Sequence, residues 1–163
     1  MRHVISAMVE NKSGVLAHIS GLFSSRGFNI DSLSVGRTED SALSRMTIVT
    51  SGDDAILEQI RKQLGKVIDV IKVIDYSGHD MVQRDLGLIK VKTPAGKRQE
   101  IISLVDIFEG KVVDISQTDM MIEISGPEAK IDAFAALMKA FGIREMVRTG
   151  VVALSRTEKA SQT

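Results

Sequence analysis

The most constraining feature of the sequence is a succession of strand and helix patterns that occurs in its first half and recurs in its second. Apolar residues recur at the spacing of one helical face in four segments, which predicts four helices. These segments are 15–23, 56–64, 101–108 and 131–141. Each is followed by a glycine, as is typical of helix C-termini, and at Gly27 we expect a left-handed backbone. The other three glycines are Gly65, Gly110 and Gly142.

Short runs rich in Val, Ile and Thr lie between these helices and predict strands. In the first half they cover 4–9, 28–35, 43–50 and 67–74. In the second half they cover 86–91, 112–116, 120–125 and roughly 143–154. Each half therefore reads βαββαβ. The predicted fold class is α+β, with two ferredoxin-like domains in which two helices cover one face of an antiparallel sheet.

A polar stretch between the two repeats, residues 77–84, predicts a linker. We expect one domain over residues 1–76, a second over 85–157, and a flexible tail over 158–163, which contains too few apolar residues to order itself. A domain of this size buries only about 60% of its unfolded surface, so each half is marginally stable alone. We therefore expect a homo-oligomer that pairs through an open edge strand.

Composition argues against nucleic-acid and membrane partners. Lys and Arg total 21, as do Asp and Glu, so the basic surplus of a polyanion binder is absent. Aromatic residues make up 4%, too few for the base-stacking sheet of RNA-binding modules that share this topology. No apolar stretch approaches the roughly 18 residues of a membrane span, and residues 1–10 contain no signal-peptide h-region of adequate length. We expect a cytoplasmic protein.

The sequence offers no set of residues from which an enzyme active site could be assembled. It contains no cysteine, which excludes thiolate zinc sites and cysteine nucleophiles. His3, His18 and His79 lie far apart and are interpreted as solvated or half-buried, and no glycine-rich nucleotide motif is present. Asp53 and Asp54 stand at a predicted helix start, where capping is the expected role.

One turn, from the first strand into the first helix, has the composition of a binding site. The N–H groups of a helix N-terminus suit a carboxylate. Gly14 lets a ligand approach the backbone, and Asn11 offers both a donor and an acceptor. The alternative is that these residues only cap the helix.

The second strand carries a phase slip. Phe28 and Ile30 alternate with polar residues, but the alternation resumes out of phase at Leu33 and Val35, which predicts a bulge. If this strand is an edge, it would pair with the same strand of a second subunit and place Asn29 near the boundary. The alternative is an irregular edge that limits aggregation.

The residues of these segments resemble the small, regulatory subunit of acetolactate synthase, an ACT-domain family. The matching stretches are ENKSGVLAHISGLFSSRGFNIDSLSVG, LSRMTIV, EQIRKQLGKVIDVIKV, LIKV, IFEGKVVDIS, IEISG and RTGVVALSR. Family members have an N-terminal ACT domain and a second ACT-like domain, in agreement with the repeat. The sequence departs from the family pattern at Glu109, where a basic residue is usual, and at Gln83 and Gly87.

The resemblance implies a noncatalytic protein that activates the thiamine-diphosphate-dependent large catalytic subunit and confers feedback inhibition by valine or another branched-chain amino acid. It implies a homodimer formed by the N-terminal ACT domains, with the effector between them. It places no cofactor in this chain, because thiamine diphosphate, Mg and FAD are expected only in the catalytic subunit. A free-standing amino-acid sensor without an enzyme partner is the alternative. The implied effector residues are Asn11, Gly14 and Asn29, with Val15, Leu16 and Ile30 as neighbours.

Overall fold

The structure, a computed structural model, describes residues 1–157. The predicted tail, 158–163, lies outside the described residues. The chain divides into two compact units. The first, called the N-terminal unit, comprises Met1–Val82 and the segment that begins at Val151, and the second, called the C-terminal unit, comprises Gln83–Gly150.

The N-terminal unit has the predicted ferredoxin-like arrangement. Its elements are β1 (Arg2–Glu10), α1 (Val15–Ser25), β2 (Ile30–Arg37), β3 (Leu43–Ser51), α2 (Asp54–Leu64) and β4 (Val70–Asp75). The strands form an antiparallel sheet in the order β2-β3-β1-β4, so β2 and β4 are its edges. The second strand is therefore an edge, which is the condition under which Asn29 would lie near a subunit boundary.

The alternation of side chains along β1 shows which face of this sheet the helices cover. Ile5, Ala7 and Val9 are buried in one core with Ile19 and Phe23 of α1. That core also contains buried residues of α2, namely Leu57, Ile60 and Leu64. Both helices therefore lie on the same side of the sheet, and the opposite side is called the helix-free face.

The C-terminal unit repeats this arrangement. Its elements are β5 (Met81–Lys92), which begins at the end of the N-terminal unit, α3 (Arg98–Ile107), β6 (Lys111–Ile115), β7 (Asp119–Gly126), α4 (Glu128–Met138) and β8 (Ile143–Arg148). The strand order is β6-β7-β5-β8, with antiparallel pairs. Its core joins Ile89 and Ile122 of the sheet to Ile101 of α3 and Phe134 of α4.

The glycines that follow the helices differ in their function. Gly27 has φ +73°, which confirms the predicted left-handed backbone, and Gly142 has φ +101°. After α3 the left-handed position is taken by Glu109, with φ 55°. A Cβ on Gly110 would lie 3.1 Å from the carbonyl oxygen of Glu123, so that glycine allows close packing. Gly65 is helical, with φ −63°.

The single strand predicted over 143–154 is wrong, because the chain forms two strands there. β8 ends at Arg148, Gly150 adopts φ +85°, and β9 covers Val152–Ser155 and pairs with β5. Val151 is fully buried in a cluster that also contains Val4 and Val49 of the helix-free face. Residues 85–157 form the second domain predicted from the sequence, whereas contacts group residues 151–157 with the N-terminal unit.

Candidate functional site

The turn between β1 and α1 is held by Asn11. Its backbone N–H donates to the carbonyl of Ala42 at 2.8 Å, and its side-chain Nδ2 donates to the carbonyl of Ser41 at 3.2 Å. No protein partner is found for its side-chain oxygen within residues 1–157. Asn11 therefore anchors the turn to the loop before β3 rather than capping α1, and it retains an acceptor.

The start of α1 is set by Gly14. This residue is the N-cap, and its φ of +86° is a left-handed conformation that glycine adopts without strain. A Cβ built there would meet no described residue within 4 Å, so this part of the chain leaves the space in front of the helix open. Val15, the first helical residue, is buried in the core, and Leu16 is 42% exposed beside it.

The N-terminus of α1 lacks the groups that normally satisfy its free N–H donors. No side chain of residues 1–157 caps it, and no acidic residue lies in its first turn. In α2, by contrast, the carboxylate of Asp53 accepts from the N–H groups of Ala55 and Ile56, which confirms the predicted capping. The donors of α1 remain available to an external carboxylate.

The start of β2 carries the second group of predicted residues. The predicted bulge is confirmed, because the register with β3 shifts between Ile30 and Ser32 and leaves Asp31 as the extra residue. Asn29 donates through Nδ2 to Asp31 Oδ1 at 3.1 Å, and its carbonyl accepts from Thr50 Oγ1 at 2.6 Å. As at Asn11, no partner within the described residues uses the side-chain oxygen of Asn29, which is left as an acceptor.

Asp31 is the functional candidate that the sequence analysis did not name. Its carboxylate accepts from Asn29 and from Ser51 Oγ at 3.1 Å, and it adds negative charge where an ammonium group is expected. The phase slip next to Asp31 was the signal that could have singled it out, because a bulged residue turns its side chain out of the regular alternation.

One chain does not bring the two groups of residues together. Glu10, which precedes the turn, is paired with Leu43, whereas Ile30 is paired with Thr50. Leu43 and Thr50 are seven residues apart on β3, which corresponds to about 23 Å. Asn11 and Asn29 therefore belong to opposite ends of the same sheet.

An ion-pair group lies next to the turn. Lys12 forms an ion pair with Glu10, and its Nζ lies 3.6 Å from Asp69 Oδ1. The hydrogen bond from Lys12 lowers the pKa of Glu10, and the same bond raises the pKa of Lys12. Lys12 is engaged by both Glu10 and Asp69, so it is not a free cation for the carboxylate of a ligand.

The structure also assembles a cluster around His3 that the sequence did not predict. His3 is 5% exposed, so the prediction of a solvated or half-buried ring is wrong. Its Nε2 is hydrogen-bonded to Asp54 at 2.8 Å and its Nδ1 to Ser77 at 2.9 Å. Because both ring nitrogens are occupied, the cluster ties β1 to α2 and to the segment after β4. Within the described chain, no group of three or more His, Asp or Glu residues could hold a metal ion.

Comparison with known proteins gives two matches to family models. Residues 5–72 match an acetolactate synthase (AHAS) small subunit-like ACT domain, and residues 84–157 match the small subunit of acetolactate synthase. A probable acetolactate synthase small subunit of Archaeoglobus fulgidus is 51% identical over 159 residues, which cover 98% of this chain and 99% of that protein. The chain belongs to the acetolactate synthase small-subunit family.

Two further members of the family agree with this assignment. The acetolactate synthase small subunit of Mycobacterium bovis is 47% identical over 154 residues, which cover 94% of this chain and 92% of that one. The crystal structure of the small subunit from Thermotoga maritima superimposes with a TM-score of 0.90 at 41% identity and covers 98% and 99% of the two chains. The fold of this small-subunit family member is therefore that of a solved relative over nearly its full length. No helix in residues 1–157 is long and apolar enough to cross a membrane.

Proposed function

We propose that this chain is the regulatory subunit of an acetolactate synthase. It raises the activity of a thiamine-diphosphate-dependent catalytic subunit and confers feedback inhibition by valine or a related branched-chain amino acid. Thiamine diphosphate, magnesium and FAD are held by the catalytic subunit and not by this chain. Family membership over nearly the whole length supports a small-subunit role.

The proposed effector site rests on two observations taken together. Asn11 and Asn29 lie at opposite ends of the same sheet, and β2 is an edge strand of that sheet. The sheet end that holds Asn11 is also where β2 ends, since Arg37 is paired with Ser44. If two β2 strands pair antiparallel about a twofold axis, the start of one lies beside the end of the other. Asn29 and Ile30 of one protomer then approach the α1 N-terminus of its partner.

Valine fits the groups that this dimer would bring together. Its carboxylate accepts from the free N–H groups at Gly14 and the first turn of α1. Its ammonium donates to the side-chain oxygens of Asn11 and Asn29, and Asp31 adds negative charge on that side. Leu16 and Ile30 cover the isopropyl group. At about 0.8 kcal/mol per buried carbon, valine binds roughly tenfold more tightly than alanine.

Inhibition requires that valine bind one arrangement of the regulatory dimer better than another. A coupling of about 1 to 3 kcal/mol between the effector site and the catalytic subunit is typical of such linkage. Because coupling is reciprocal, the catalytic subunit changes the affinity for valine by the same factor. Valine affinity measured with and without the catalytic subunit therefore gives the coupling directly.

Calorimetric titration of valine, leucine and isoleucine against the full chain tests the effector, and reconstitution with a catalytic subunit tests the partner. We expect saturable binding of at least one of the three, activation on mixing, and inhibition at the same effector concentrations. Binding without activation or copurification of a catalytic subunit would identify a free-standing sensor instead. Failure of all three amino acids to bind refutes the effector site.

A mixing experiment tests the division of the site between protomers. Asn11→Leu and Asn29→Leu each remove both sites of a homodimer. In a mixed dimer one site contains both substitutions and the other contains none, because each site takes Asn11 from one chain and Asn29 from its partner. Random mixing of equal amounts therefore restores binding to about a quarter of all sites. No recovery after unfolding and refolding the mixture contradicts the twofold arrangement.

A further inference from the structure

Among the described residues, an arginine on the helix-free face of the N-terminal sheet has no acidic partner. Arg45 of β3 is flanked by Met8 of β1 and by Gly36 of β2, and Met8 is flanked in turn by Lys72 of β4. This row runs across the sheet at right angles to its strands. Residues directly opposite one another in an antiparallel sheet lie on the same face, so the row places Arg45 and Lys72 on the face away from both helices.

The contacts of Arg45 hold it in place but use little of its hydrogen-bonding capacity. Its Nη1 donates to Ser6 Oγ at 3.3 Å and to Tyr76 Oη at 3.5 Å, which are long bonds to neutral groups. Within the described chain, no carboxylate lies within 4.0 Å of its guanidinium, and Nε and Nη2 make no hydrogen bond. A guanidinium carries five N–H donors and recognises oxyanions in a forked geometry.

Hydroxyl groups form the next row of the same face. Ser34, Thr47 and Ser6 are directly opposite one another on β2, β3 and β1. Ser6 and Thr47 are buried, so they make up a polar floor beside Arg45. The acidic residue that follows on this face of β1 is Glu10, and its carboxylate is already paired with Lys12. Among the described residues, neither Arg45 nor Lys72 forms an ion pair.

Gly36 leaves open space beside Arg45. A Cβ built on Gly36 would meet no atom of residues 1–157 within 4 Å, and its backbone is not in the left-handed region. Neither conformation nor packing within the described part of the chain therefore requires glycine there. A glycine without such a requirement is typical of a place where a ligand approaches the backbone closely.

We propose that Arg45, Lys72 and the space over Gly36 form a binding site for the oxyanion of a small molecule, either a carboxylate or a phosphate. Arg45 supplies the forked donors and Lys72 a second positive charge two strands away, about 10 Å along the sheet. The site lies on the face of the sheet opposite α1, so it is separate from the proposed valine site.

The test is a titration of the full chain with inorganic phosphate and, separately, with acetate. A titration with chloride serves as the control, and the ionic strength is held constant throughout. Amide and arginine side-chain N–H resonances in a nitrogen–proton correlation spectrum report binding. We expect saturable shifts at Gly36 and Arg45, and the tighter anion identifies the class of ligand. Shifts that do not saturate with either anion, or that match those of chloride, refute the site.

Three variants show whether the shifts come from this site. Arg45→Met keeps the apolar stem and is expected to weaken binding about tenfold or more. Gly36→Val fills the open space without an internal clash and should weaken binding similarly. It provides a second test of the site if the arginine variant misfolds. Lys139→Met removes an exposed charge from the C-terminal unit and should leave binding unchanged.

Equal affinity in the wild-type chain and in Arg45→Met overturns the proposal and marks an adventitious ion only. Sedimentation of Gly36→Val separates loss of the site from altered β2 pairing, since only the latter changes the molecular mass. Valine binding to Arg45→Met, measured by calorimetry, should equal that of the wild-type chain. The oxyanion site and the effector site can therefore fail independently.

Discussion

Substitution of Gly14 by aspartate tests the carboxylate subsite of the proposed effector site most directly. A Cβ at this position points into open space, so the new side chain does not disturb the core. The φ of +86° strains most residues by about 1 to 2 kcal/mol, but Asn and Asp tolerate the left-handed region better than others. Gly14→Asn therefore has nearly the same shape and strain and lacks only the charge.

The magnitude follows from Coulomb's law. Two carboxylates about 4 Å apart repel each other by about 1 kcal/mol in water and about 4 kcal/mol at an effective dielectric constant of 20. The site is open to solvent at Gly14 and closed on the side of buried Val15, so the repulsion lies between these limits. The valine affinity of Gly14→Asp should fall by a factor between about five and a thousand relative to Gly14→Asn.

The assay is calorimetric titration of valine against both variants at low and at high salt, together with activation of the reconstituted enzyme. We expect the difference between the variants to shrink at high salt, because the site is partly exposed. Activation should survive in both, since Gly14 lies in the proposed effector site. Equal valine affinity of the two variants at low salt refutes binding of the carboxylate at the start of α1.

Two further predictions concern stability. Val151→Asp introduces a charge at a fully buried position and should lower the free energy of unfolding by more than about 3 kcal/mol, whereas Val152→Asp, at a half-exposed position, should change it by less than about 0.5 kcal/mol in urea denaturation. The hydrogen bond from Lys90 lowers the pKa of Glu145. This pair therefore stabilises the fold at pH values above the ordinary glutamate pKa, and the stabilisation is lost as the pH falls through the lowered pKa. The urea midpoint of the wild-type chain should therefore exceed that of Glu145→Gln by a small amount at pH 7, and the difference should vanish once the pH has fallen below the lowered pKa of Glu145.

Periodicity was sufficient to predict the order of the four helices and of β1 to β8, because most of these elements bury one regular face. It failed where burial depends on contacts distant in sequence. Val151 is apolar and continues a strand-like run, so the sequence alone predicts an uninterrupted strand through it. In the structure the chain turns at Gly150 and Val151 joins Val4 and Val49, a contact that no local pattern signals.

The same limit applies to the candidate site. The residue types of the β1–α1 turn and the phase slip of β2 were visible in the sequence, and both features are present in the structure. The distance between the turn and the phase slip was not visible in the sequence, because it depends on the register of β1 and β2 against β3. Asp31 escaped notice for a related reason, since only the bulge places its carboxylate against Asn29.

A site divided between two protomers links effector binding to association. Under the proposed arrangement, Asn11 and Asn29 act together only in the dimer, so valine binds the dimer and not the separate chains. A ligand stabilises the state that binds it by RT ln(1 + [L]/Kd), and the twofold axis provides two such sites. At a valine concentration of about 100 Kd, each site stabilises the dimer by about 2.7 kcal/mol. Valine should therefore lower the dissociation constant of the dimer by about four orders of magnitude, since its two sites contribute together. A regulatory subunit with this design would respond to valine through its own association as well as through the catalytic subunit.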